Sequence, residues 1–167
     1  MCNDKYILRL SNTAIGNEQP TLSANKDKVE IRLPNHLRSR GKCTVSVVEI
    51  TVSLRNGAGN RVVANGTHIL AIRSNIPQLG WGNEANSQNQ ILGSGTIQDN
   101  NTNAVQLDTS SALTFTCPQL PDVVELERMC YDPANNFNLI PADEFVTDVV
   151  PFQVVLQIEF DEDHNMM

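Results

Sequence analysis

The amino-acid sequence predicts an all-β protein, and three observations predict it. Apolar residues recur at every second position in most of the apolar segments, the period of a half-buried strand. Short stretches rich in Asn, Gly and Pro, the residues of turns, separate those segments. No segment combines helical spacing with caps at both ends. At most a turn of helix is expected, around Asn35 to Arg40 or Ala142 to Val146.

The first strand is expected where Tyr6, Leu8 and Leu10 share one face and Arg9 takes the other. Val29, Ile31 and Leu33 repeat that pattern against Glu30 and Arg32. From Cys43 to Leu54 the apolar phase runs through Val45 and Val47, then changes to Val48, Ile50, Val52 and Leu54. A one-residue change of phase within a continuous strand predicts a β-bulge, which bends long sandwich strands. Asn56-Gly57-Ala58-Gly59-Asn60 is a flexible hairpin-like connection, and Asn65-Gly66 begins a turn.

Thr67 to Ser74 sets Leu70 and Ile72 against Arg73. Asn89 to Gln98 is a weaker strand, its Ile91 and Ile97 interrupted by Gly93 and Gly95. Leu113, Phe115 and Cys117 face away from Thr114 and Thr116. Pro118 and Pro121 bracket the next boundary. Val124 and Leu126 then alternate with Glu125 and Glu127 before Met129 and Tyr131, and Asp132-Pro133-Ala134-Asn135-Asn136 reads as a turn. The clearest strand is the last, where Phe152, Val154, Leu156, Ile158 and Phe160 alternate with Gln153, Val155, Gln157 and Glu159. A helix would scatter those five large side chains around its circumference. Eight strands without helix or internal repeat point to a sandwich or barrel. The expectation is an eight-stranded antiparallel jelly-roll sandwich forming a single domain over residues 1–167.

One stretch departs from the pattern. Residues 75–103 are rich in Asn, Gln and Gly and read as a long loop, which is uncommon in a compact domain unless it has a task. Trp81, the only tryptophan, lies in it between Gly80 and Gly82. It reads either as an anchor for a partner surface or as a cap folded over an open end of the sandwich.

Composition narrows the function. Residues 1–42 hold eight Lys/Arg and four Asp/Glu, whereas residues 43–167 hold four and fifteen, giving the total of −7. A surface so acidic repels nucleic acid, because phosphate binding needs clustered cations. The only basic patch is the run from Arg32 to Lys42, with Arg38, Arg40 and Lys42 at its C-terminal end. It is either a solvated loop or a contact for the acidic surface of a neighbouring subunit. No apolar run reaches the roughly 20 residues of a membrane span. The opening MCNDKYILRL carries charge at Asp4, Lys5 and Arg9, so no secretory signal is expected. Cys2, Cys43, Cys117 and Cys130 lack metal-ligand spacing and are expected as free thiols. The sequons at Asn65 and Asn100 are accordingly expected to carry no glycan.

No recognisable chemical motif occurs in the sequence. His36, His68 and His164 show no HxH, HExxH or HxxxH pattern, so no metal site is expected. No GxSxG occurs, and Gly57-Ala58-Gly59 lacks the Lys of a phosphate loop. Asp143-Glu144 and the acidic tail at 161–167 read as solvated charge. No catalytic residue and no cofactor is expected.

Three stretches carry a likeness to a known family: His68-Ile69-Leu70-Ala71-Ile72-Arg73-Ser74-Asn75-Ile76-Pro77, Val123-Val124-Glu125-Leu126-Glu127-Arg128, and Pro151-Phe152-Gln153-Val154-Val155-Leu156-Gln157-Ile158-Glu159-Phe160. With Tyr131 to Phe137 as the turn between the last two strands, the chain resembles the single jelly-roll penton or minor capsid proteins of large eukaryotic DNA viruses, virophages and polinton-like viruses. The resemblance implies a structural virion protein made in the host cytoplasm or nucleus. It implies a homopentamer at the fivefold vertices of an icosahedral capsid, in contact with the major capsid protein and other minor capsid proteins. It implies no catalysis, while charge and apolar run length give the expectation of no bound nucleic acid and no membrane span. Two other classes use the same fold: trimeric receptor-binding jelly rolls like TNF and C1q, and carbohydrate-binding modules. The former bury aromatic side chains at a threefold axis and the latter display an aromatic platform, and eight aromatic residues are few for either.

Overall fold

Alternation along the chain becomes alternation of burial in space. A computed structural model describes residues 4–13, 21–22, 28–38, 40–54, 67–78, 90–98, 104–106, 114–133, 138–139 and 151–160. In order, the elements are β1 (Lys5–Ser11), β2 (Thr21–Leu22), β3 (Lys28–Arg32), α1 (Asn35–Arg38), β4 (Cys43–Ser53), β5 (Thr67–Ser74), β6 (Gln90–Gln98), β7 (Ala104–Gln106), β8 (Thr114–Cys117), β9 (Val123–Asp132), β10 (Asn138–Leu139) and β11 (Phe152–Phe160). The eight expected strands are all present. The additional β2, β7 and β10 are two or three residues long, too short to show a period in sequence.

Two antiparallel sheets result. In the first, β11 lies between β1 and β4, and the far side of β4 carries β8 along its first half and β7 along its second. In the second the order is β2-β3-β9-β5-β6, with β10 also on β9. Setting the three shortest strands aside, the pairs are nested: β1 with β11, β3 with β9, β4 with β8, and β5 with β6. Successive pairs alternate between the sheets. The two sheets form an antiparallel β-sandwich.

The inner faces of both sheets contribute to one apolar core. Val45, Ile50, Val52, Val154, Leu156 and Ile158 enter it from the first sheet, and Val29, Leu70, Ile72, Val124 and Leu126 from the second. All eleven are essentially inaccessible to water. At roughly 1.5–3 kcal/mol for each fully buried aliphatic side chain, this core supplies the dominant favourable term.

The bulge in β4 is present, but the phase change resolves differently from the expectation. Val155 pairs with Glu49 and Leu156 with Val47, so Val48 is the extra residue in the ladder. It is 52% exposed rather than buried with Ile50. The inward phase is thus Val45, Val47, Ile50, Val52 and Leu54, with Val48 expelled.

The weak strand is corrected in the same way. The expected face does not hold at Ile91, which is 50% exposed while Leu92 is buried; the Ile97 side chain lies outside the described residues. Ile72 pairs with Gly93 and Arg73 with Ile91, which leaves Leu92 as the extra residue of a second bulge. Gly93 and Gly95 do not break the strand. They lie opposite Ile72 and Leu70 and therefore occupy its inward positions.

The expected loop at 75–103 is therefore not one loop, since β6 occupies Gln90–Gln98. Its first residues are also firmly bound. The Asn75 side chain donates from Nδ2 to the Val123 carbonyl at 3.0 Å and accepts the Glu125 N–H at 2.8 Å. Ile76, beside it, is buried. Trp81 lies outside the described residues. Of the two expected helical turns, α1 matches the first and Ala142 to Val146 lies outside. Among the described residues, no helix is long and apolar enough to cross a membrane.

Candidate functional site

The ladder registers bring three chain segments to one end of the first sheet. Lys5 pairs with Glu159 and Phe160 with Cys43, so the start of β1, the end of β11 and the start of β4 lie level. The basic segment 38–42 runs directly into β4 and must arrive at that same end. Its preceding turn, α1, is fixed by Leu37, which is buried, and by the Pro34 carbonyl, which accepts the N–H groups of Leu37 and Arg38. Gly41 then adopts φ +81°, a left-handed conformation that L side chains resist, and turns the chain into the strand.

This arrangement fixes the two arginines of the patch. Arg40 donates to the Tyr6 hydroxyl and to Asp4 Oδ2, both at 2.6 Å. Its guanidinium also lies 4.6 Å from the Phe160 ring centroid and 5.6 Å from that of Tyr6, within cation–π range. The Tyr6 ring meets Phe160 edge-on and His36 at a tilt, both at 5.8 Å between centroids. The hydrogen bond that Arg40 donates to Asp4 raises its pKa above the ordinary arginine value. Arg38 is mostly covered, at 16% side-chain exposure, and faces Asp122 at 3.4 Å. Lys42 is exposed. Arg38, Arg40 and Lys42 were expected as a solvated loop or as a contact for a neighbour; Arg38 and Arg40 have acidic partners within the chain.

The outer faces of the two sheets differ in character. On the second sheet, Lys28 pairs with Glu125 at 3.0 Å and Arg73 pairs with Glu127. These four side chains and Ser74 line a small charged depression of about 110 Å³. Hydrogen bonding to Glu125 raises the Lys28 pKa above 10.5, with burial opposing it and the Glu125, Glu30 and Glu127 charges adding to it. This face carries two internal ion pairs, with Ile91, 50% exposed, beside Arg73.

The first sheet presents the opposite. Apart from Lys5–Glu159 at 2.7 Å, Arg9 and Glu49, its outward residues are hydroxyls, amides and aliphatics. The cross-strand rows are Ile7–Gln157–Ser46–Thr114, then Arg9–Val155–Glu49, then Ser11–Gln153–Thr51. Ile7 is 55% exposed and Val48 52%. Two inter-strand spacings, roughly 9.5 Å, separate their strands. At one end of this face an open cleft of about 290 Å³ is lined by Ser11, Thr13, Thr51, Ser53, Phe152 and Gln153 among others. The bulge that expels Val48 is what gives β4 an outward aliphatic here, and sequence patterning had assigned that residue to the core.

Among the described residues, no group of three or more His, Cys, Asp or Glu side chains is placed to hold a metal ion. His36 stands exposed beside Tyr6, the His68 side chain and His164 lie outside the description, and Trp81 does too. Compared with protein-family models and with curated proteins, the chain matches none.

Proposed function

We propose that this chain is a structural virion protein, a penton subunit that closes into a homopentamer at the fivefold vertices of an icosahedral capsid. It acts through protein surfaces: its own copies around the ring, and the major and minor capsid proteins at the ring's margin. It performs no catalysis and needs no cofactor. The observation that carries the reading is the nested strand pairing, β1 with β11, β3 with β9, β4 with β8 and β5 with β6. Viral capsid domains use that winding, and the likeness of the 68–77, 123–128 and 151–160 stretches to penton proteins agrees with it.

A fold hosts many functions, so the surface has to supply the rest. The outer face of the first sheet is the better subunit contact of the two. Interface centres are depleted in charge and carry aliphatic or aromatic anchors, and Ile7 and Val48 stand on a mostly neutral background. In a ring each subunit meets its neighbour through two different surfaces. The basic segment at 38–42 was a second candidate for this contact. Its Arg38 and Arg40 instead support the subunit's own architecture through Asp122 and Asp4.

Image averages of the purified protein by negative-stain electron microscopy test the proposal. Five-lobed rings are expected, and Ile7→Lys with Val48→Lys should disperse them while the thermal midpoint stays within a few degrees. Three-lobed rings would instead indicate a receptor-binding trimer and overturn the penton reading.

A further inference from the structure

Cys43 opens β4, Cys117 closes β8, and the two residues are direct partners in the antiparallel ladder. Both are fully buried, in phase with the core residues Val45 and Phe115. Residues directly opposed in such a ladder have Cα atoms about 4.5 or 5.5 Å apart, depending on whether the pair is hydrogen-bonded. A disulfide spans Cα separations of about 4.4–6.8 Å, so both separations lie within its reach. The thiols are already in contact: a hydrogen bond from Cys43 lowers the Cys117 pKa from its usual 9.0, burial works against it, and the Gln119 backbone N–H adds to it. A lowered pKa increases the thiolate fraction, the form that attacks a disulfide. Cys130 differs, since its ladder partner is Leu70 on the other sheet.

We propose that Cys43 and Cys117 form a redox modification site, which a low-molecular-weight disulfide such as oxidised glutathione converts to a cross-strand bond joining β4 to β8. The Cys117 thiolate attacks one sulfur of the small disulfide, forming a mixed disulfide and releasing one small thiolate. The Cys43 thiolate then attacks Cys117 Sγ and releases the second. Two protein thiols are oxidised, one small disulfide is reduced to two thiols, and the protein loses two hydrogens. Access comes from β8 itself. It is four residues long and, among the described residues, pairs only with β4, so it opens before the sheet does. The bond encloses about 75 residues, a long loop whose closure stabilises the fold chiefly by restricting the unfolded chain.

The full chain is equilibrated in a glutathione redox buffer from two starting points, the folded protein and protein refolded from urea. Remaining thiols are alkylated, and the products are read by intact mass and peptide mapping. The four cysteines allow six pairings. Cys43–Cys117 is expected to dominate from both starting points, and the thermal midpoint of the oxidised protein is expected to rise by roughly 10 °C. Cys43→Ser and Cys117→Ser should each abolish the bond and the rise. The refolding arm removes burial as an obstacle. Failure to form this pair there, or its appearance only as one among several with Cys2 or Cys130, would overturn the proposal.

Discussion

Two single-residue deletions in β4, three positions apart, should have opposite consequences. The inward residues of the strand are Cys43, Val45 and Val47 before the bulge and Ile50 and Val52 after it, with Leu54 continuing that phase, all buried. Because Val48 is the residue skipped between the Val47–Leu156 and Glu49–Val155 pairs, removing it leaves a regular ladder. Every inward side chain stays inward. β8 pairs with β4 before the bulge and β7 after it, so neither of those ladders crosses the deletion. The loss is confined to the local bend and one half-exposed valine, about 1 kcal/mol or less. Removing Thr51 keeps the bulge but turns Val52 and Leu54 to the outer face, because a one-residue slip reverses a strand's sides. Each is worth roughly 1.5–3 kcal/mol, so the fold loses roughly 3–6 kcal/mol. In a chain of this size 1 kcal/mol shifts the midpoint by roughly 2–4 °C. Thermal unfolding followed by circular dichroism should therefore place ΔVal48 within about 4 °C of the parent and ΔThr51 some 10–20 °C lower. Equal losses from the two deletions would refute the assignment of Val48 as the inserted residue.

Three further outcomes follow from the same geometry. Asn12 is buried and its Oδ1 accepts the Phe152 N–H at 2.9 Å, so Asn12→Ala should cost roughly 1–3 kcal/mol in urea unfolding by leaving that donor unsatisfied. Gly41→Ala meets no atom within 4 Å of the new Cβ, so its loss should be the backbone term alone, roughly 1–2 kcal/mol, and Gly41→Asn should recover part of it. Lys28 has a raised pKa in the folded protein, so its contribution is complete below the unfolded value near 10.4 and is lost as pH rises through the folded value above 10.5. The stability difference between the parent and Lys28→Met should hold steady from pH 7 to 10 and shrink above that, as measured by denaturant midpoints.

Strands were legible wherever their two faces differ in chemistry. In β11 and β3 the large apolar residues alternate with polar ones, and the burial pattern follows. β6 was faint for a physical reason: its inward positions opposite Ile72 and Leu70 are glycines, and the buried Leu92 enters through a bulge. The bulge in β4 was legible as a change of phase, but composition alone does not say which of two adjacent valines leaves the ladder. Arg128 carries a related lesson. It occupies the inward phase of β9 between Leu126 and Cys130 and is only 5% exposed, although its charge suggests the surface.

The candidate surface was legible only in part. The cations at 38, 40 and 42 stand out as a local run, but their partners come from elsewhere in the chain. Asp4 reaches Arg40 because β1 and β11 end level with the start of β4, a consequence of register that no local pattern contains. The neutral outer face of the first sheet is likewise assembled from residues of several strands, and Ile7 and Val48 come to one face only through the pairing of β1 and β4 with β11.

The claim that this sandwich works as one subunit of a closed ring of five is tested most directly by its mass in solution. Multi-angle light scattering over a concentration series should reach a plateau near 92 kDa, five times the 18.4 kDa chain. A plateau near 55 kDa, three times the chain mass, or a monomer that persists at every concentration, would contradict it.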